Sequence, residues 1–297
     1  MRSRVGTVGR TGLENTLRVT CPFLRMLLVM SRGGFTVRSF MLCLLILTMS
    51  VGCAIDSLCR SSREEVIQQV VPSSVQIVIE REGQRYRSGS GVAIGARLSG
   101  QGTECLVLTS GHTLSQRSDK DQVFMLFGRH RGAGSKVSAV VVAHRDTDEM
   151  DLALLRATSG ECVPGQFGNP PALGDAIWVV AYPWGRNMTL VSGIVSQVNA
   201  NQPDDRATAP RLIVDASVSY GSSGGGVYDA DGGLVGVVEG YRTARVSFEG
   251  SVSPQYVTLP VPGETYVVPL ADIRRFLVDA DETELAERVP AIKDPDR

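Results

Sequence analysis

Short runs of aliphatic and β-branched residues, broken by Gly, Ser and Asp, fill the middle of the chain. Runs at 75–79, 91–94, 105–109, 123–127, 136–143 and 152–155 have the length and alternation of strands. The stretch 163–171, VPGQFGNPP, interrupts them with turn formers. A second group of runs follows at 176–181, 190–198, 211–215, 226–228, 234–238 and 266–269. Two sets of about six strands, split by a turn-rich linker, predict an all-β chain of two antiparallel barrels, at about 65–160 and 170–282. The period then changes. Leu270, Ile273, Phe276 and Leu277 recur at helical spacing, which predicts a helix over 269–278 packed on the second barrel. Residues 283–297 are polar and predict a frayed tail.

The front of the chain reads differently. Residues 40–52, FMLCLLILTMSVG, carry no charge and follow Arg32 and Arg38. Thirteen residues fall short of the ~20 that span a bilayer and suit the apolar core of a signal peptide. The run ends at Gly52, Cys53 and Ala54, which resembles a bacterial lipoprotein signal, with Cys53 becoming the lipidated N-terminus. Ser50 is a poor fit to that signal, so a plain secretory signal and a retained anchor stay open. We therefore take 1–52 as a leader and 53–64 as a linker. A normal basic segment would open at Met30, which points to a translation start there or at Met26. The expected setting is the periplasm or cell envelope.

Charge adds an exclusion. The chain is balanced at −1, with 32 Gly and 14 Pro among 297 residues, but residues 1–38 hold seven Arg against Glu14. The rest therefore carries −7. An acidic body without clustered Lys or Arg argues against a phosphate-binding groove, so no nucleic-acid partner is expected. Among the six Cys there is no CxxC pair and no His/Cys cluster at metal spacing, so neither metal nor other cofactor is expected. Cys105 and Cys162 are either a bridge or two buried thiols.

Chemistry concentrates in few places. Residues 219–227, SYGSSGGGV, place Ser223 between strand-like runs. Gly221, two residues earlier, would let the N–H groups of 221 and 223 face one hollow, the donor pair that an acyl-transfer oxyanion requires. A serine nucleophile needs a base, and the base needs an orienting carboxylate. Only three His exist. His112 ends a strand in a small-residue turn, His130 sits among arginines, and His144 reads as structural. Asp151 directly precedes the apolar run 152–155, where an ionised group must be paired.

The chain order His112, Asp151, Ser223, with the blocks LTSGH, DLALL and GSSGG around them, resembles the trypsin-like serine peptidases. The closer resemblance is to the HtrA (Deg) protease domain. It is carried by SGSGVAI at 88–94, ALGDAIWVVAYPWG at 172–185, TLVSGIV at 189–195, DASVSYGSSGGGVYDADGGLVGV at 215–237 and YVVP at 266–269. It covers about residues 65–280. The resemblance implies a chymotrypsin-like double barrel over 65–282. It also implies a serine endopeptidase acting on exported or misfolded polypeptides, with His112, Asp151 and Ser223 catalytic. Gly221 and Ser223, with Ser222, would form the oxyanion hole. Ser217, Val238, Glu239 and Gly240 would bind substrate. Ser217 would stand at the base of the specificity pocket, where its lack of charge favours small or medium apolar residues over Arg or Lys. A homo-oligomer is compatible with the family. Three features depart from its pattern: Ser222 where Asn is usual, Gly226 where Pro or Ala is common, and Glu239 near the expected substrate strand. After about residue 282 the sequence has no room for a PDZ domain. These departures keep two rivals in play, a catalytically silent binding module of the same fold and a latent enzyme awaiting a partner. A third rival, a lipid-anchored structural protein of the envelope, has only the leader in its favour.

Overall fold

The computed structural model describes residues 62–132, 134–147, 150–200, 210–248 and 255–291. The leader, Cys53 and the linker up to residue 61 lie outside the described residues. Helix α1 (Arg63–Val70) opens the described part with a capping box: Ser62 Oγ accepts from Glu65 N–H, and Glu65 Oε2 accepts from Ser62 N–H. The expected linker thus already ends in this helix.

Thirteen strands follow among the described residues. β1 (Ser74–Arg81), β2 (Gln84–Ser99), β3 (Gly102–Ser110), β4 (Gln122–Phe127), β5 (Ser135–Ser138), β6 (Val140–Arg145) and β7 (Leu152–Thr158) form one antiparallel sheet in the order β5-β4-β1-β2-β3-β7-β6. The run 136–143, expected as one strand, breaks into β5 and β6, so the sheet has seven strands rather than six. The break is at Ala139, whose N–H is taken by Val123 O at 2.9 Å. Because β5 and β6 are the two edges of the sheet and only one residue separates them, the edges must meet and the sheet curls on itself.

β8 (Ala176–Ala181), β9 (Thr189–Ala200), β10 (Arg211–Val214), β11 (Gly226–Asp229), β12 (Leu234–Phe248) and β13 (Gln255–Pro269) close the second barrel, in the order β10-β13-β12-β11-β8-β9. β12 and β13 are much longer than the runs read from the sequence. Their outer halves pair from Thr243↔Pro260 to Phe248↔Gln255. Helix α2 (Leu270–Asp279) follows where expected, with Leu270, Ile273, Phe276 and Leu277 buried. The polar tail is not frayed at its start. Thr283–Arg288 form a further helix, α3, anchored by buried Leu285, Ala286 and Val289.

Alternation explains where the cleft lies. On β3, Cys105 and Val107 point into the first sheet's own core, while Leu106 and Leu108 join a second cluster. On β7, Ala153 and Leu155 divide from Leu152 and Leu154 in the same way. That second cluster also takes Val180, Tyr228, Val237 and Val268 from the other barrel, and residues of all three helices. Each barrel therefore buries one strand face in itself and the other against its neighbour. Loops that end these shared strands must meet at the rim of the joint. Cys105 and Cys162 form a disulfide with Cα atoms 5.7 Å apart. It closes a separation of 57 residues, which corresponds to about 4 kcal/mol of chain-entropy stabilisation.

Candidate active site

β3 ends at Ser110, and the short turn Gly111–Thr113 carries His112. A Cβ on Gly111 would overlap Arg145 O, so only glycine lets this turn press against β6. His144, read as structural, caps the turn from β6: its Nε2 lies 2.9 Å from Gly111 O. Arg87 donates to His112 O at 3.2 Å and Ser115 O at 2.6 Å.

Asp151 stands directly before β7 and is fully buried. Its backbone is left-handed, at φ 53°, and its N–H donates to Asp146 O at 2.9 Å. This tight turn aims the carboxylate back at the histidine. Oδ1 accepts from His112 N–H at 2.7 Å, and Oδ2 lies 2.8 Å from Nδ1. The bond to Nδ1 holds the proton there, which leaves Nε2 as the acceptor. The His112 side chain keeps 37% exposure. Burial pulls its pKa down, but the hydrogen bond and charge of Asp151, together with the charge of Glu239, outweigh burial and the opposing charge of Arg87. The net direction is upward.

Ser223 lies on the loop between β10 and β11. Ser222 N–H donates to Ser219 O at 2.9 Å and Gly225 N–H to Ser222 O at 2.9 Å, so the loop is two overlapping turns. Gly224 N–H donates to Val238 O, and Val238 N–H returns to Gly225 O, both at 2.8 Å. Gly224 is left-handed at φ 86°, and a Cβ there would overlap Ser90 O and Thr109 Oγ1 and stand 3.0 Å from Ser110 N. The serine loop is thus seated against the strand end that carries His112.

One residue the sequence reading missed does much of this seating. Ser90, buried on β2, donates its N–H to Ser223 O at 2.8 Å and its hydroxyl to Gly221 O at 2.7 Å. The same hydroxyl accepts Tyr182 N–H at 2.8 Å. A second missed contact orients the hollow. Trp184 N–H donates to Tyr220 O at 2.6 Å. The C=O and N–H of one trans peptide point opposite ways, so this bond turns the Gly221 N–H away from Trp184. Among the described residues neither Gly221 N–H nor Ser223 N–H has a partner. Ser222 N–H, expected as a third oxyanion donor, is instead spent on Ser219 O. Among the described residues Ser223 Oγ also has no partner, so its bond to His112 Nε2 is open in this structure.

Gly221 has φ 87°, and a Cβ would stand 2.8 Å from Trp184 N and 3.0 Å from Tyr182 O. Gly221→Ala is therefore expected to break the Trp184–Tyr220 bond and turn the 220–221 peptide. A loss of about 10²–10³ in kcat is the expected size for one oxyanion donor. Steady-state kinetics beside a thermal melt checks it, and unchanged kcat would put the hole elsewhere.

The residues expected to bind substrate separate into two places. Ser217 lines a cavity of about 240 Å³ together with Val179, Ala181, Pro183, Thr189 and Val191. No charged side chain lines it. Val238, Glu239 and Gly240 do not line it. The Val238 side chain is buried in the second barrel, and Glu239 is 7% exposed and paired with Arg211. As side chains, neither belongs to the Ser217 pocket. Gly226, which departs from the family pattern, has a packing reason. It is buried on β11, and the space a Cβ would fill holds the ring of Tyr228, whose hydroxyl pairs with Ser73 Oγ at 2.7 Å.

Known proteins place this arrangement. The Staphylococcus aureus (strain USA300) serine protease HtrA-like is 26% identical over 193 residues, 61% of this chain and 22% of that protein. A mitochondrial Do-like protease of Arabidopsis thaliana is 26% identical over 236 residues, 77% of this chain and 41% of that protein. A DegP-like periplasmic serine endoprotease of Marinomonas sp. is 29% identical over 172 residues, 57% and 33% of the two chains. This chain thus spans well under half the length of these curated relatives. The crystal structure of the serine endoprotease from Yersinia pestis superposes with a TM-score of 0.54 at 21% identity, over 75% of this chain and 68% of that one, which establishes the shared fold. The family model of the trypsin-like peptidase domain matches residues 89–237, half of the chain, and that span holds the His112 turn, Asp151 and the Ser223 loop. On fold, site and sequence together, the chain belongs to the trypsin-like peptidase family.

Proposed function

We propose that the chain is a serine endopeptidase that cleaves exported or misfolded polypeptides through an acyl-enzyme. The observation that carries the reading is the buried Asp151 carboxylate, which binds both the main-chain N–H and Nδ1 of His112. Ser223 Oγ attacks the peptide carbonyl while His112 Nε2 takes its proton. His112 then hands that proton to the leaving amine. Asp151 keeps the imidazole in its working tautomer and stabilises the charged ring. The N–H groups of Gly221 and Ser223 hold the oxyanion. Water then repeats the attack on the ester, with His112 again as base. The open Ser223–His112 bond is the one observation that favours the latent reading. The turned 220–221 peptide favours a ready oxyanion hole. We further propose export through the leader over 1–52 and a lipid anchor at Cys53, as a periplasmic or envelope enzyme.

A fluorophosphonate probe on the full chain tests the reading, with Ser223→Ala and His112→Ala as controls. Label on Ser223 that needs His112 supports it. No label on folded protein, with or without an added unfolded polypeptide, would leave the silent module.

The base must be neutral to take a proton. Rate should therefore rise with pH through the His112 pKa, which lies above the ordinary imidazole value of about 6.5. A kcat/KM profile whose acidic limb lies at or below 6.5 would contradict the upward direction. The uncharged Ser217 pocket should take Val or Leu in preference to Arg at the position before the cut. Peptides that differ only there decide it, and a strong Arg preference would place specificity outside this pocket.

A further inference from the structure

Arg211 opens β10 and is fully buried. A buried guanidinium persists only when paired and hydrogen-bonded. Its Nε donates to Glu239 Oε2 at 2.6 Å, Nη1 to Asp272 Oδ2 at 2.9 Å and Nη2 to Met150 O at 3.3 Å. These three partners come from three segments. Glu239 lies on β12, one residue past Val238, whose carbonyl holds Gly224 N–H. Asp272 lies in the first turn of α2, where Arg275 also reaches it at 3.0 Å. Met150 O belongs to the peptide unit that supplies the N–H of Asp151, and that N–H is fixed by Asp146 O. Both ends of the Met150–Asp151 peptide are therefore pinned, one by Arg211 and one by Asp146. The left-handed turn that aims Asp151 at His112 starts from this plane.

Stability alone is a weak account of such a group. Apolar residues of similar volume often replace buried ion pairs at no loss of stability. The placement of Glu239 points elsewhere. Its charge acts on His112, alongside that of Asp151 from the β6–β7 turn and against Arg87 from β2. His144 and Asp146 flank the same turn, 3.5 Å apart. We propose that Arg211 is a positioning residue, which fixes the Asp151 peptide through Met150 O and is itself held by Glu239 on β12 and Asp272 on α2. The proposal rests on the serine-peptidase reading of the site.

Two measurements on the full chain test it. The triple variant Arg211→Met, Glu239→Gln, Asp272→Leu removes the three charges of the network together. Expected are a melting temperature near the parent's, kcat lower by about 10–100-fold, KM little changed, and an acidic limb moved to lower pH. Parent kcat with an unmoved limb would overturn the proposal and leave a packing role. The second measurement needs neither activity nor the triple variant to fold. In Glu239→Gln, the His112 imidazole, one of three to assign, is followed by NMR against pH. Its titration should shift to lower pH, and an unmoved titration would overturn the proposal. If the parent takes no label on Ser223, the peptidase reading fails, while the imidazole titration still reports on the network.

Discussion

Ser223→Ala should lower kcat by about 10⁶-fold and leave the fold intact. The two halves of this expectation rest on different atoms. On the proposed mechanism the hydroxyl is the attacking atom, and alanine removes it. The backbone does the holding. Ser90 N–H reaches Ser223 O, Gly224 N–H reaches Val238 O, and Ser222 and Gly225 close their turns on main-chain oxygens. Among the described residues the hydroxyl itself has no partner, so its loss leaves no buried group unsatisfied. A melting temperature within a degree or two of the parent's should accompany the lost rate. Ser223→Ala combined with His112→Ala should be no slower than Ser223→Ala alone, because the residues of a triad act as a unit. Residual catalysis over water would come from the oxyanion donors and from binding. Activity within tenfold of the parent's would place the nucleophile elsewhere.

Much of this site is legible in the sequence, and the reason is local. Runs such as 105–109 and 152–155 bury both faces, so their apolar patterns are dense, and the loops that end them carry His112 and Asp151 beside recognisable blocks. What was missed depends on partners far along the chain. Ser90 reads as one more small residue in SGSG, because its partners Tyr182 and Gly221 lie 92 and 131 residues away. Arg211 reads as a polar strand end, since Glu239 and Asp272 are 28 and 61 residues off. Glu239 is visibly out of pattern, but its meaning needs Arg211. The outer halves of β12 and β13 were missed for the opposite reason. Residues 242–247 and 256–260 are exposed, so the hydrophobic period that marks a buried strand is absent. Helix α3 hides similarly, its polar surface outweighing Leu285 and Ala286. Ser222 as an oxyanion donor rests on the family resemblance alone, and only the turn to Ser219 shows that its N–H is taken.

Asp151→Asn should cost about 10⁴-fold in kcat with the geometry retained, the loss seen when this carboxylate is neutralised in a related triad. Asn tolerates the left-handed backbone at φ 53° that most side chains resist. Its Oδ1 can still accept the His112 N–H now bonded at 2.7 Å. The second terminal atom is then an NH₂, facing Nδ1 at the place where Oδ2 lies at 2.8 Å. An NH₂ can only donate, so Nδ1 must offer its lone pair and the ring proton must move to Nε2. The atom that should take the Ser223 proton then already carries one. The upward push of Asp151 on the imidazole pKa disappears as well, so the acidic limb of whatever rate remains should lie at lower pH. Nitrogen chemical shifts of His112 read the tautomer directly, independently of turnover. A ring still protonated at Nδ1, with kcat within tenfold of the parent's, would mean that something other than this carboxylate orients the base.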